Sequence, residues 1–214
     1  MTNAMSSANA DLDTEFGEQT YPSGDGRHNR RVRNKIAVID AYLDLIAEGS
    51  ERPSVAEVAH RSGVSHRSVF RYFADKDDLA RTSIDRQIMR VRPHLQLELT
   101  PRAPLADRVE HLLVRRFELY DVLGPVARLM RVLSAENPEI GMQLTSNRET
   151  AREQIRALFR PELDRLNQRH AENVLAVIDV LCSFESADLF SHDLRFSQNR
   201  SIDAIKPAVI SLLN

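Results

Sequence analysis

The chain has 214 residues, 42% of them hydrophobic, with one cysteine and a formal net charge of −2. That length suits one large domain or two small ones with a buried core. A single cysteine excludes an intrachain disulfide and fits a reducing cytoplasm, and neither a ~20-residue apolar span nor a basic-then-apolar leader is visible, so membrane and secreted classes are set aside.

Residues 1–29 read as an acidic, polar, disordered tail: positions 1–26 hold Asp11, Asp13, Glu15, Glu18 and Asp25, no Lys or Arg, and too few apolar residues to offset ordering. Residues 27–92 reverse the sign, with 14 Lys or Arg against nine Asp or Glu. Such a basic segment suits local neutralisation of phosphates, and it also arises on ordinary solvated surfaces. The run Arg27 to Lys35 (RHNRRVRNK) is either an arm lying on DNA or the solvated start of a helix.

Scarce glycine, with Leu, Ala, Arg and Glu recurring at helical spacings, predicts an all-α protein. A first helix is expected from about Arg31 to Glu48, with Ile36, Ile39, Leu43 and Ile46 on one face and Gly49 as its stop. Ser54 and Glu57 form the S-x-x-E capping box of a second helix, which turns Val55, Val58 and Ala59 inward. Gly63 breaks it. Ser65 caps a third helix that carries Val69, Phe70 and Phe73 inward, and Asp75 with Asp78 starts a fourth that Pro93 stops near Arg92. Pro101 and Pro104 mark a linker. Helices are then expected over Leu105 to Leu123, ended by Gly124-Pro125, and over Val126 to Ala135. Another runs from Asn137-Pro138 to about Phe159, and the chain restarts at Pro161. A long apolar stretch covers about Arg169 to Phe190. After a polar loop (Ser191 to Arg200), a last short helix carries Ile202, Ile205 and Val209, with a kink or late start at Pro207.

Ser54 to Phe73 (SVAEVAHRSGVSHRSVFRYF) meets the needs of a helix-turn-helix: an anchored first helix, a tight glycine turn, and a second helix with one polar face for the major groove. Arg67 can pair bidentately with guanine, and His66 sits where a helix start meets a base or phosphate. Ser65 and Ser68 are small donors and acceptors, while Arg71, Tyr72 and Lys76 suit phosphates, which position without specifying. The candidate DNA contacts are therefore Ser54, Ser65, His66, Arg67, Ser68, Phe70, Arg71, Tyr72 and Lys76.

GVSHRSVFRYFADKDDL, Gly63 to Leu79, closely resembles the signature of the TetR family of transcriptional regulators, and the likeness extends over about residues 36–79. It departs from the family at Phe70, where Tyr is usual, at Tyr72, where His is frequent, and at Ala56, where a basic residue is common. Phe70 thus lacks a phenol for a phosphate but keeps a ring for a thymine methyl. The resemblance implies about nine helices, divided into a DNA-binding domain at 30–75 and an effector-binding and dimerisation domain at 76–214. It also implies a homodimer through about Arg169–Phe190 and Ser201–Leu213, both apolar beyond the need of one buried face; the same residues can equally complete the core.

An effector pocket would draw on Phe117, Tyr120, Leu123, Met130, Met142, Phe159 and Phe184, each of which is also plain core material, with Tyr120 and His111 as polar partners for a largely apolar ligand. No G-x-S-x-G, Walker loop, G-x-G-x-x-G or C-x-x-C occurs, His192-Asp193 and His170-x-Glu172 are poorly spaced for a metal, and Cys182 reads as a small buried hydrophobe. No enzyme activity, cofactor or metal is expected. The reading is a cytoplasmic regulator of double-stranded DNA, a repressor released from a pseudo-palindrome by a small apolar ligand. An activator or protein-responsive regulator of the same fold, and a helical small-molecule-binding protein without a DNA role, are the alternatives.

Overall fold

The computed structural model describes residues 26–91 and 101–214. The expected tail up to residue 25 and the stop at Pro93 lie outside them. Ten α-helices and one π turn make up the ordered elements, with no strand among the described residues. They fall into two compact units that divide between Arg86 and Gln87, inside the fourth helix.

The N-terminal unit holds α1 (Gly26–Ala47), α2 (Val55–Ser62), α3 (His66–Tyr72) and the first part of α4 (Lys76–Val91). Its helix ends are built almost wholly from local signals. Past α1, Gly49 has φ 101° while the Gly49 and Ser50 amides return to the Ile46 and Leu45 carbonyls, both at 3.0 Å, which is the double closure of a Schellman turn. Ser54 accepts from the Glu57 amide at 3.2 Å, and the Glu57 carboxylate accepts from the Ser54 amide at 2.8 Å, completing the capping box. Before α4, Asp75 accepts from the Asp78 amide at 2.8 Å and Asp78 from the Ala74 amide at 2.9 Å, a second reciprocal cap. Ile39 and Tyr42 of α1 are buried, as are Val58 of α2, Val64 of the turn, Val69 of α3 and Phe73 after it, and α1 packs on both α2 and α3. Burial raises the Tyr42 phenol to about 12. α1 starts at Gly26, so the basic run Arg27 to Lys35 is helix rather than extended arm.

The C-terminal unit contains α5 (Leu105–Ser134), α6 (Pro138–Leu158), α7 (Arg160–Leu163), α8 (Gln168–Leu181), α9 (Phe184–Asp188), a π turn (Leu189–Asp193) and α10 (Gln198–Leu213). Three boundaries differ from expectation. Helix α5 does not end at Gly124-Pro125 but runs through it as one element with Pro125 inside. Proline leaves acceptors unused in the preceding turn, and the Val122 carbonyl there accepts from the Gln87 side-chain amide at 3.3 Å. The apolar stretch from Arg169 to Phe190 is interrupted, because Ser183 accepts from the Ser186 amide at 3.2 Å and starts a new helix. Helix α10 begins at Gln198 behind a Ser197 cap, earlier than expected, and keeps Pro207 inside.

The core of this unit joins Leu112, Leu113 and Phe117 of α5, Ile155 and Phe159 near the end of α6, Leu175 and Ile178 of α8, and Ile205 and Val209 of α10. Each such side chain contributes about 1.5–3 kcal/mol by leaving water. A buried ion pair pins the bundle. Arg108 grips both Glu162 oxygens at 2.6 and 2.8 Å and also donates to the Leu158 and Ala103 carbonyls, each at 2.8 Å. Those hydrogen bonds hold the Glu162 carboxyl below its ordinary value against the opposing pull of burial. Cys182 lies in the same core, 2% exposed, and burial pushes its thiol up to about 12. No helix among the described residues is long and apolar enough to cross a membrane.

Candidate nucleic-acid interface

The turn between α2 and α3 depends on one backbone conformation. Gly63 has φ 68°, in the left-handed region that costs a glycine nothing. Val64 then enters the core, and Ser65 caps α3 by accepting from the Ser68 amide at 3.3 Å. The helix that follows is two-faced. Val69 is buried, as is Phe73 at its C-cap, while His66, Arg67, Phe70 and Arg71 are exposed. At 100° per residue those four positions share one arc opposite Val69. Phe70, expected to face inward with part of its ring exposed and to contact DNA, is 51% exposed, and the His66 ring meets it edge-on at 5.1 Å between centroids. Its register on the helix, one residue beyond the buried Val69, turns it out with the polar residues.

Each expected DNA contact has a definite setting. Arg67 is exposed and makes no ion pair or hydrogen bond among the described residues. Arg71 donates to the Tyr72 hydroxyl at 3.3 Å and lies 5.3 Å from that ring's centroid. The hydroxyl also accepts from Asn34 of α1 at 3.4 Å. With two donors already aimed at its oxygen, the Tyr72 O–H is left to donate outward. Burial pulls this phenol up, but the bonds from Asn34 and Arg71 and the charges of Arg71 and Arg31 bring it below its ordinary value. Ser65 donates to Ser68 at 3.0 Å, which leaves the Ser68 hydroxyl proton available. Ser54 accepts within its capping box and keeps its own proton, and Lys76 is exposed with its charge felt at Glu57.

Asn34 was not among the expected residues, and Arg31 only as part of the basic run. The signal available in the sequence is their helical spacing: Arg27, Arg30, Arg31 and Asn34 recur at three and four, one stripe of α1. Basic residues crowd the first turns of α1, which has no acid in its first turn. That arrangement opposes the helix dipole, so it is not there for helix stability.

The expected effector residues lie in the C-terminal unit. Phe117, Met130, Phe159 and Phe184 are buried, Leu123 is half-buried, and Met142 is 66% exposed on α6. Tyr120 donates to the Cys182 carbonyl at 3.1 Å and meets Phe184 edge-on at 5.8 Å, and burial lifts its phenol to about 12. His111 Nε2 is buried without a hydrogen-bond partner among the described residues. A groove of about 320 Å³ is lined by Arg156, Arg160, Leu163, Asp164, Leu166, Gln168, Ala171 and Glu172, none of them an expected pocket residue.

With this geometry established, comparison with known proteins adds the following. Residues 38–82 match the family of bacterial regulatory proteins described as tetR family. An HTH-type transcriptional repressor of Mycobacterium tuberculosis is 36% identical over 103 residues, 45% of this chain and 50% of that protein, so the chain spans about half the length of the curated relative it matches. Among solved structures, a tetR-family transcriptional regulator from Streptomyces coelicolor aligns with a TM-score of 0.67 at 23% identity, over 84% of this chain and 79% of that one. A transcriptional regulator from Rhodococcus sp. Rha1 aligns at 0.64 and 19%, over 86% and 95%. At these identities the structures establish a shared fold.

Proposed function

We propose, for a chain whose residues 38–82 match the tetR family of bacterial regulatory proteins, a dimeric, DNA-binding transcriptional regulator that represses from a two-fold-symmetric site and is released by a small molecule held in its C-terminal unit. The observation that carries the reading is the outward arc of α3. His66, Arg67, Phe70 and Arg71 lie in solvent behind a glycine turn, and a helix kept only for packing has no use for them. Arg67 reads a guanine edge in the major groove, Phe70 touches a thymine methyl, and Arg71, Tyr72, Ser68 and Lys76 hold phosphates. Repression is supported by the likeness to the mycobacterial repressor. With chromosomal DNA as its partner, the protein works in the cytoplasm.

The dimer is assigned to α8 and α10. Helix α8 leaves His170, Asn173, Val177 and Val180 exposed at intervals of three and four, with Val180 64% exposed. Helix α10 leaves Ala204, Pro207, Ala208 and Ser211 exposed, small enough for close approach. An isologous pairing buries both stripes at once and gives the two reading heads their two-fold relation. Helix α4 runs across the division between the units, so a ligand that prefers one setting of the dimer alters the spacing of the heads.

The test is enrichment of genomic DNA fragments by the purified protein, with Arg67→Ala/Arg71→Ala as control. A few fragments sharing a symmetric site, lost with the double variant, are expected. Equal recovery by both proteins sinks the reading. Sedimentation of Val180→Asp checks the dimer: a monomer is expected, and an unchanged dimer moves the interface elsewhere.

A further inference from the structure

A cluster of arginines gathers where α5, α6, α8 and α9 meet. Arg116 is 5% exposed and donates to the Ala151 carbonyl at 3.1 Å and to Gln154 at 2.8 Å. Arg131 on α5 and Arg148 on α6 both reach Glu185 of α9, and both use the same oxygen, Oε1. Arg152 stands one turn beyond Arg148 on the same face of α6. Its Nη2 lies 3.7 Å from Glu172, a carboxylate already taken by Arg156 at 3.0 and 3.4 Å. Asp179 of α8 faces Arg152, Arg116 and Arg148, but burial drives its carboxyl upward and so works against its charge.

The cluster is short of acceptors. Arg131 Nε and Nη1 and Arg152 Nε are buried and have no hydrogen-bond partner among the described residues. A buried donor left without an acceptor is destabilising, and the group that answers an arginine fork best is a carboxylate bound by both oxygens. Glu185 does not bind that way, since one oxygen serves both arginines through their Nη2 atoms and the Nε edge of Arg131 goes unused.

We propose that Arg131, Arg148 and Arg152 form a binding site for a small organic acid, and that Glu185 is an internal occupant which the ligand's carboxylate displaces. Three features favour displacement. The Glu185 side chain is 44% exposed, so its pairs are screened and easily exchanged. It sits on a helix of five residues, tied further to α5 by the half-exposed pair of Asp188 with Arg128 at 2.5 Å and by the Phe184 ring edge-on to Tyr120. That helix runs into a π turn, a feature frequent at functional sites. Freeing Glu185 loosens α9 and the exposed Leu189 that follows it, close in the chain to the α8 stripe assigned to the dimer. The acid would thereby be the releasing ligand, and in this respect the inference rests on the regulator reading.

The experiment is a calorimetric titration of the full chain with succinate, without DNA, so its outcome is independent of whether any fragment is bound. Wild type is expected to bind with millimolar affinity and Glu185→Gln at least tenfold more tightly, whereas succinamide, uncharged and of similar size, binds neither. Arg131→Gln/Arg152→Gln, with its fold checked by circular dichroism, is expected to lose the heat. Equal affinity in wild type and Glu185→Gln, no heat from either, or binding that survives loss of both arginines would overturn the proposal. Glu185→Gln is a gain of binding, which a misfolded variant does not imitate.

Discussion

Arg67 and Arg71, on α3 of the N-terminal unit, stand in solvent on the outer arc of their helix, whereas Arg108 and Arg116 of the C-terminal unit are 3% and 5% exposed and fully engaged. The difference follows from how each unit holds itself together. The helix ends of the N-terminal unit are closed by short-range backbone devices, a Schellman turn at Gly49, two side-chain caps and a left-handed Gly63, and its charged joins, Arg61 with Glu48 and Arg86 with Asp40, come from outside α3. None of these uses an arginine of α3, so those charges remain for a partner. The C-terminal unit must join segments far apart in the chain, and its charged side chains make the joins, Arg108 to Glu162 above all.

The comparison is tested most severely at Glu162. Removing one partner of a buried pair strands the other charge, so Glu162→Ala is expected to destabilise the C-terminal unit by about 3–5 kcal/mol in urea unfolding followed by circular dichroism. Arg108→Met/Glu162→Leu should recover most of that. An unchanged midpoint in the single variant would mean that the pair is not what joins the helices. The pH dependence has a definite sign. Because folding lowers the Glu162 pKa, the stabilisation is complete above its ordinary value of 4.5 and is lost as pH falls through the lowered one. Acid titration of wild type beside Arg108→Met/Glu162→Leu should show the extra loss only in wild type.

At the other pole, Arg67→Ala should weaken binding to an enriched fragment by about 1–3 kcal/mol, roughly five- to 150-fold, with no change in melting temperature. Fluorescence anisotropy and thermal denaturation read the two quantities side by side. A drop in melting temperature with unchanged affinity would reverse the roles assigned to the two sets of arginines. Ser54→Ala should cost about 1 kcal/mol, seen as faster amide exchange in α2, because it removes one half of the capping box. The smallest effect expected is that of Tyr72→Phe, about 0.5 kcal/mol of DNA affinity, since only one hydroxyl is lost.

These contrasts also explain what could be read in the sequence. Ser54 with Glu57, Gly63, Ser65, and Asn137 before Pro138 act within four residues of themselves, and each ends or starts a helix where the sequence places it. Pro125 also looked local, yet α5 continues through it, and the Val122 carbonyl in the turn before it accepts from the side chain of a residue 35 positions away. Phe70 could be read either way: hydrophobic character argues for burial, and its angular position beside the buried Val69 turns it outward. Asn34 and Tyr72 meet across 38 positions, and Arg108 and Glu162 across 54, so neither pairing has a sequence signature. The arginine cluster around Glu185 is hidden in the same way, since its members come from three helices that only folding assembles.

Cys182 gives the C-terminal unit an internal reporter. It is the chain's sole thiol, 2% exposed and held protonated by its surroundings, so an alkylating reagent has to wait for the surrounding helices to part. When reclosing outpaces the reagent, the rate of modification measures the free energy of that opening. The wild-type protein thus carries, with no label added, a clock for how firmly its bundle is shut, and a ligand that tightens or loosens the bundle would change its rate.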